Sequence, residues 1–60
     1  MEKLVLITDL DGNEFTVKPN VIINVIENGN HTLVETIYGN ELTKSSKQVI
    51  QASIHNCYLP

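Results

Sequence analysis

Apolar and polar residues follow one another in short blocks along this chain, and three turn dipeptides cut the blocks apart: Asp11-Gly12, Asn28-Gly29 and Gly39-Asn40. The runs between them are rich in Val, Ile, Leu and Thr, residues that fit a pleated, half-buried surface, and such dipeptides between such runs signal hairpin connections. The pattern predicts a small antiparallel sheet of four to five strands. Leu4 to Leu10 reads as the first strand, apolar on both faces at its start. With Asp11-Gly12 as a two-residue turn, Leu6 faces Val17 and Thr8 faces Phe15. One hairpin face then collects Leu4, Leu6, Leu10, Phe15 and Val17 as the core side, with Val5 and Ile7 on the other and Asp9 across from Glu14 at the turn.

Pro19-Asn20 ends this hairpin, because proline gives no ladder hydrogen bond, and Val21 to Glu27, which could open with one helical turn, forms the next strand. The second turn leads to His31–Tyr38, either through Asn28-Gly29 alone or through a four-residue loop that includes Asn30. Gly39-Asn40 turns the chain into a short strand around Glu41–Thr43, with Glu35 opposite Lys44 and Ile37 opposite Leu42. The period then changes. Ser45-Ser46-Lys47-Gln48 matches a capping box, and Val49, Ile50, Ser53, Ile54 and Cys57 follow on one helical stripe, with Lys47, Gln51, His55 and Tyr58 opposite. A helix near residues 45–56 is expected to pack on the sheet through Val49, Ile50 and Ile54. The fold class is α+β, in a single domain over residues 1–60.

Length changes the energetic picture, since a chain of 60 residues buries only roughly 60% of the surface that its unfolded form exposes. Small domains usually add disulfides, a metal or a partner subunit to such a core. A single cysteine forms no internal bridge, and the two histidines, His31 and His55, lie far apart, so self-association is the expected remedy. Val5 and Ile7, on the face away from the helix, are the candidate self-association residues, with an unpaired strand edge as the alternative, and a homodimer is the simplest form. The opening Met1-Glu2-Lys3 and its four following apolar residues are too short for a signal peptide or a membrane span. With the lone thiol of Cys57, this points to the cytoplasm.

The net charge is −3, from seven acidic residues against four lysines with no arginine. All seven acids fall in residues 1–41, so the sheet is acidic and the tail mildly basic. Without arginine, whose planar fork grips phosphate, nucleic-acid binding is disfavoured. Two acidic residues, Asp9 and Glu14, and the helix-side residues Lys44, Lys47, Gln51 and His55 are the candidate partner surface.

No catalytic or cofactor motif stands out. Asp9 to Glu14 has the acidic look of a calcium loop, but its glycine is fourth, whereas the EF-hand places it sixth. Cys57 and His55 are two apart on a helix and point to different faces, which argues against a nucleophile and base pair. Cys57 reads as a small buried apolar residue. Asn30-His31-Thr32 matches a glycosylation sequon, which has no role without a secretory signal.

Leu6-Ile7-Thr8-Asp9-Leu10-Asp11-Gly12-Asn13-Glu14-Phe15, Lys18-Pro19-Asn20-Val21-Ile22, Val25-Ile26-Glu27, Thr32-Leu33-Val34, Tyr38-Gly39-Asn40 and Ser45 with Val49-Ile50 resemble the small flagellar FlbD/SwrD (swarming motility) family over residues 4–54. The resemblance implies a bacterial, non-enzymatic accessory protein acting through protein contacts, with no catalytic residue to carry over. Two function classes follow. The first is a protein-binding or regulatory module, either a motility accessory or a phage-type inhibitor whose acidic sheet occupies a basic site on a host protein. The second is a nucleic-acid-binding regulator using the surface of Lys44, Lys47, Gln51 and His55. Charge favours the first.

Overall fold

A computed structural model describes residues 3–59. Its elements are β1 (Val5–Thr8), β2 (Glu14–Val17), a 3₁₀ turn (Pro19–Val21), β3 (Ile22–Asn28), β4 (His31–Thr36), β5 (Gly39–Thr43) and α1 (Lys47–Cys57). This is the expected α+β architecture, divided into an antiparallel pair β1-β2 and an antiparallel sheet in the order β3-β4-β5. A single bridge between Asp9 and Thr43 joins the two sheets. The helix packs on β1 and β3.

The first hairpin departs from the expected register by one residue. Its pairs are Val5 with Val17, Leu6 with Thr16, Ile7 with Phe15 and Thr8 with Glu14. The cause is the loop, which holds three residues rather than two. Asp9 and Asn13 close it through Asp9 N–H to Asn13 O at 2.9 Å, and inside it Gly12 N–H donates to Asp9 O at 3.1 Å. Gly12 supplies the positive φ, at 91°, that a type I turn followed by a bulge requires.

A one-residue slip exchanges the two faces of a strand. Val5 and Ile7 are therefore in the core at 0% exposure, joined by Val25, Val34 and Ile50, with Phe15, Val17, Ile22, Ile54 and Cys57 packed against them. Leu4 and Leu6, expected in the core, are exposed at 46% and 52%. Glu14 sits across from Thr8, not Asp9. Val5 and Ile7 cannot serve as a surface for self-association, because no solvent or partner reaches them.

The second turn uses Gly29-Asn30, one residue later than Asn28-Gly29, since Asn28 pairs with His31. Gly29 has φ 64° and Asn30 stays at negative φ, the signs of a type II′ turn. Near the start of β3 a bulge between Ile22 and Asn24 leaves Ile23 as the extra residue. The 3₁₀ turn ahead of it matches the helical turn that the sequence allowed.

The third turn falls two residues before the dipeptide that suggested it. Thr36 pairs with Gly39, Glu35 with Asn40, Val34 with Glu41 and Leu33 with Leu42, so Ile37 and Tyr38 form the turn and the pairs Glu35–Lys44 and Ile37–Leu42 do not occur. The Thr36 hydroxyl donates to Gly39 O at 2.8 Å and accepts from Tyr38 N–H at 3.1 Å. Ile37 N–H donates to Val21 O at 3.0 Å, which ties the turn to the 3₁₀ segment.

The helix starts one residue later than the capping box would place it. Ser46 is the N-cap, its hydroxyl accepting from Val49 N–H at 3.2 Å. This puts Val49 rather than Gln48 at the third helical position, so the reciprocal glutamine bond of a capping box is not made. Ile50 and Ile54 face the sheet as expected. Val49 does not, and is 55% exposed.

Candidate functional site

The residues proposed from sequence as a partner surface do not form one surface. The Asp9 carboxylate is occupied by its own loop: Oδ1 accepts from Asp11 N–H and Asn13 N–H, each at 2.9 Å, and Oδ2 from Asn13 Nδ2 at 3.4 Å. These bonds, the Asn13 backbone N–H foremost, hold the Asp9 carboxyl below its ordinary pKa by favouring the charged form. Asp9 is a loop anchor. Glu14 is exposed beside it on β2.

Lys44 and Lys47 share a recess with Glu27 and His31, between the second turn and the start of α1. Gln51 belongs to a different recess, between α1 and β3, lined by Ile22, Ile23 and Ile54. His55 is exposed further along the helix. Cys57 is half-buried against the core cluster. Among the described residues, no three His, Cys, Asp or Glu side chains are grouped to hold a metal ion, and no helix is long and apolar enough to cross a membrane.

Two apolar surfaces emerge that the sequence reading did not single out. The first is a groove between β1 and α1, where Leu4 and Leu6 meet Lys3, Ser53, Asn56 and Cys57. Lys3 Nζ donates to Leu59 O at 3.0 Å and Asn56 O at 3.5 Å, placing a cation on the negative end of the helix dipole. Tyr58 and Leu59, at that helix end, are 66% and 47% exposed.

The second is the face of the β3-β4-β5 sheet that α1 does not cover. Ile26, Leu33 and Leu42 stand in register across its three strands, and Leu10 of the first loop adjoins Leu33 and Leu42. Ile26 and Leu42 are 39% and 37% exposed. A signal for this face was present in the sequence: Val25-Ile26 and Leu33-Val34 put apolar residues on both faces of their strands, as in strands that are covered twice.

No protein-family model, curated protein or solved structure matches this chain.

Proposed function

We propose that this chain is a non-enzymatic protein-binding module of an accessory or regulatory kind, working in the cytoplasm. One observation carries the reading. Among the large apolar side chains left exposed, two groups lie together: Leu4 and Leu6 beside the helix, and Ile26 and Leu42 on either side of the half-buried Leu33 in one row. Scattered apolar residues are normal on a protein surface, whereas contiguous ones mark interaction sites. The resemblance to the FlbD/SwrD family supports a motility accessory as the first form of this reading. The acidic residues of the sheet support an inhibitor that occupies a basic protein site as the second.

A photo-crosslinking side chain in place of Leu6 tests the reading in cells of the source organism. The expected result is one discrete adduct with another protein, lost when Leu4→Asp is added while the circular dichroism spectrum is kept. Crosslinks confined to copies of the chain itself, or none, overturn it. A nucleic-acid-binding regulator is the competing reading, supported by Lys44 and Lys47 in one recess but weakened by Glu27 within that recess. It requires an affinity for DNA or RNA that falls steeply with salt.

A further inference from the structure

We propose that the helix-free face of the β3-β4-β5 sheet binds a second copy of this chain, the two copies related by a two-fold axis lying along the row Ile26, Leu33 and Leu42. The inference gives to a second copy one of the two apolar surfaces on which the reading above rests, and leaves Leu4 and Leu6 to the heterologous partner. Its first ground is apolar: the row runs across all three strands on the face opposite Val25 and Val34, which are buried under Ile50.

Its second ground is the charge pattern on either side of the row. Strand alternation places Asn24, Glu35 and Asn40 together as the next row on this face, and Asn28 and His31 as the row on the other side. Asp11 borders the face near Asn40, whereas Glu41, paired with Val34, belongs to the opposite face. Lys44 lies beside His31 at the opposite end. The face is thus acidic at one end and carries a lysine at the other.

A two-fold axis along the apolar row reverses strand direction between copies, so each position comes to lie over its mirror along the strand. Leu33 meets Leu33. Lys44 of one copy comes over Asn40 of the other, between Glu35 on one side and Asp11 on the other. The face is therefore complementary to itself, in charge as well as in apolar matching, and the sheets stack in the aligned manner common to packed sheets. Three strands about 4.8 Å apart form a smaller face than the roughly 800 Å² per partner of tight complexes. Association is accordingly weak, at micromolar concentrations or above.

Sedimentation equilibrium of the whole chain, from about 10 µM to 1 mM, tests this. The wild type is expected to pass from monomer to dimer across that range. Leu33→Glu should stay monomeric at every concentration with an unchanged circular dichroism spectrum. Glu35→Lys and Lys44→Glu should each weaken the dimer at least tenfold, and the combined variant should associate more tightly than either alone. A monomeric wild type at the highest concentration overturns the inference, as it would if a segment of another protein were the occupant, and leaves the protein-binding reading standing. A dimer unaffected by Leu33→Glu overturns it too. Should Leu33→Glu unfold, the charge exchange decides, and a combined variant no tighter than the single ones refutes the arrangement.

Discussion

Conservative substitutions at two adjacent positions of β1 distinguish the observed hairpin register from the one a two-residue turn would produce. Ile7 is fully buried against Phe15, whereas its neighbour Leu6 is 52% exposed opposite Thr16. Shortening Ile7 to Val removes one buried methylene, worth about 0.8 kcal/mol by transfer and about 1 kcal/mol once the small cavity is counted. Leu6→Val removes a methylene that is largely in water and substitutes a better strand former, so its cost should stay below about 0.5 kcal/mol. Ile7→Ala is more severe: three carbons at about 0.8 kcal/mol each plus a cavity come to about 3–4 kcal/mol. A chain of this length has a total stability of about 3–9 kcal/mol, so Ile7→Ala should be largely unfolded at the lower end of that range. Urea denaturation followed by circular dichroism, at one fixed protein concentration so that association does not vary, reads all three. Leu6→Val costing as much as Ile7→Val would refute the register, and with it the burial of Val5.

Asp9 should add a pH dependence: its folded pKa lies below its unfolded one, so the stabilisation is present above the ordinary carboxyl value of about 3.9 and is lost as pH falls through the folded value. Comparing urea midpoints of the wild type and Asp9→Asn between pH 3 and pH 7 should show a wild-type advantage at neutral pH that shrinks below about pH 4, and an advantage unchanged by acid would contradict the loop geometry. Ser46→Ala should cost about 1 kcal/mol through loss of the N-cap bond to Val49, while Ser45→Ala should cost less than half as much; the reverse order in thermal melts would restore Ser45 as the cap. Gly12→Ala should cost about 1–2 kcal/mol, because φ is 91° although the space around a Cβ is open, and a neutral effect in the same melts would argue against the bulged three-residue loop.

The elements were legible because their signals are local. Turn-forming residues between β-prone runs announced the hairpins, and the change to helical spacing after Lys44 announced α1, including the burial of Ile50 and Ile54. Register was not legible to the same degree, because it depends on which of several polar side chains captures the backbone at each turn. Asp9 captures Asp11 and Asn13 and lengthens the first loop by one residue. Thr36 captures Tyr38 and Gly39 and draws the third turn forward by two. Ser46 takes the cap that Ser45 could equally have supplied. The separation of Lys44, before the helix, from Gln51 and His55 on it follows from placement in three dimensions, to which spacing along the chain is blind.

The choice made at Asp9 also determines what the surface of this protein is. β1 carries two apolar sets, Leu4 with Leu6 and Val5 with Ile7, and a chain with one helix can cover only one of them. The three-residue loop puts Val5 and Ile7 beside Phe15 and Val17, under the helix with Ile50. Leu4 and Leu6 are thereby turned outward. The same reasoning applies to β3 and β4, whose Val25 and Val34 are buried while Ile26 and Leu33 face away from α1. Exposed apolar rows are thus built in by topology: β1, β3 and β4 carry apolar residues on both faces, and a single covering helix leaves one of those faces as a surplus outside the core. Covering that surplus recovers roughly 25 cal/mol for each Å² of apolar surface removed from water, and a core with five fully or nearly buried side chains in its central cluster has little else to draw on. Binding and stability are therefore expected to be coupled in this chain, each partner raising the temperature at which it unfolds.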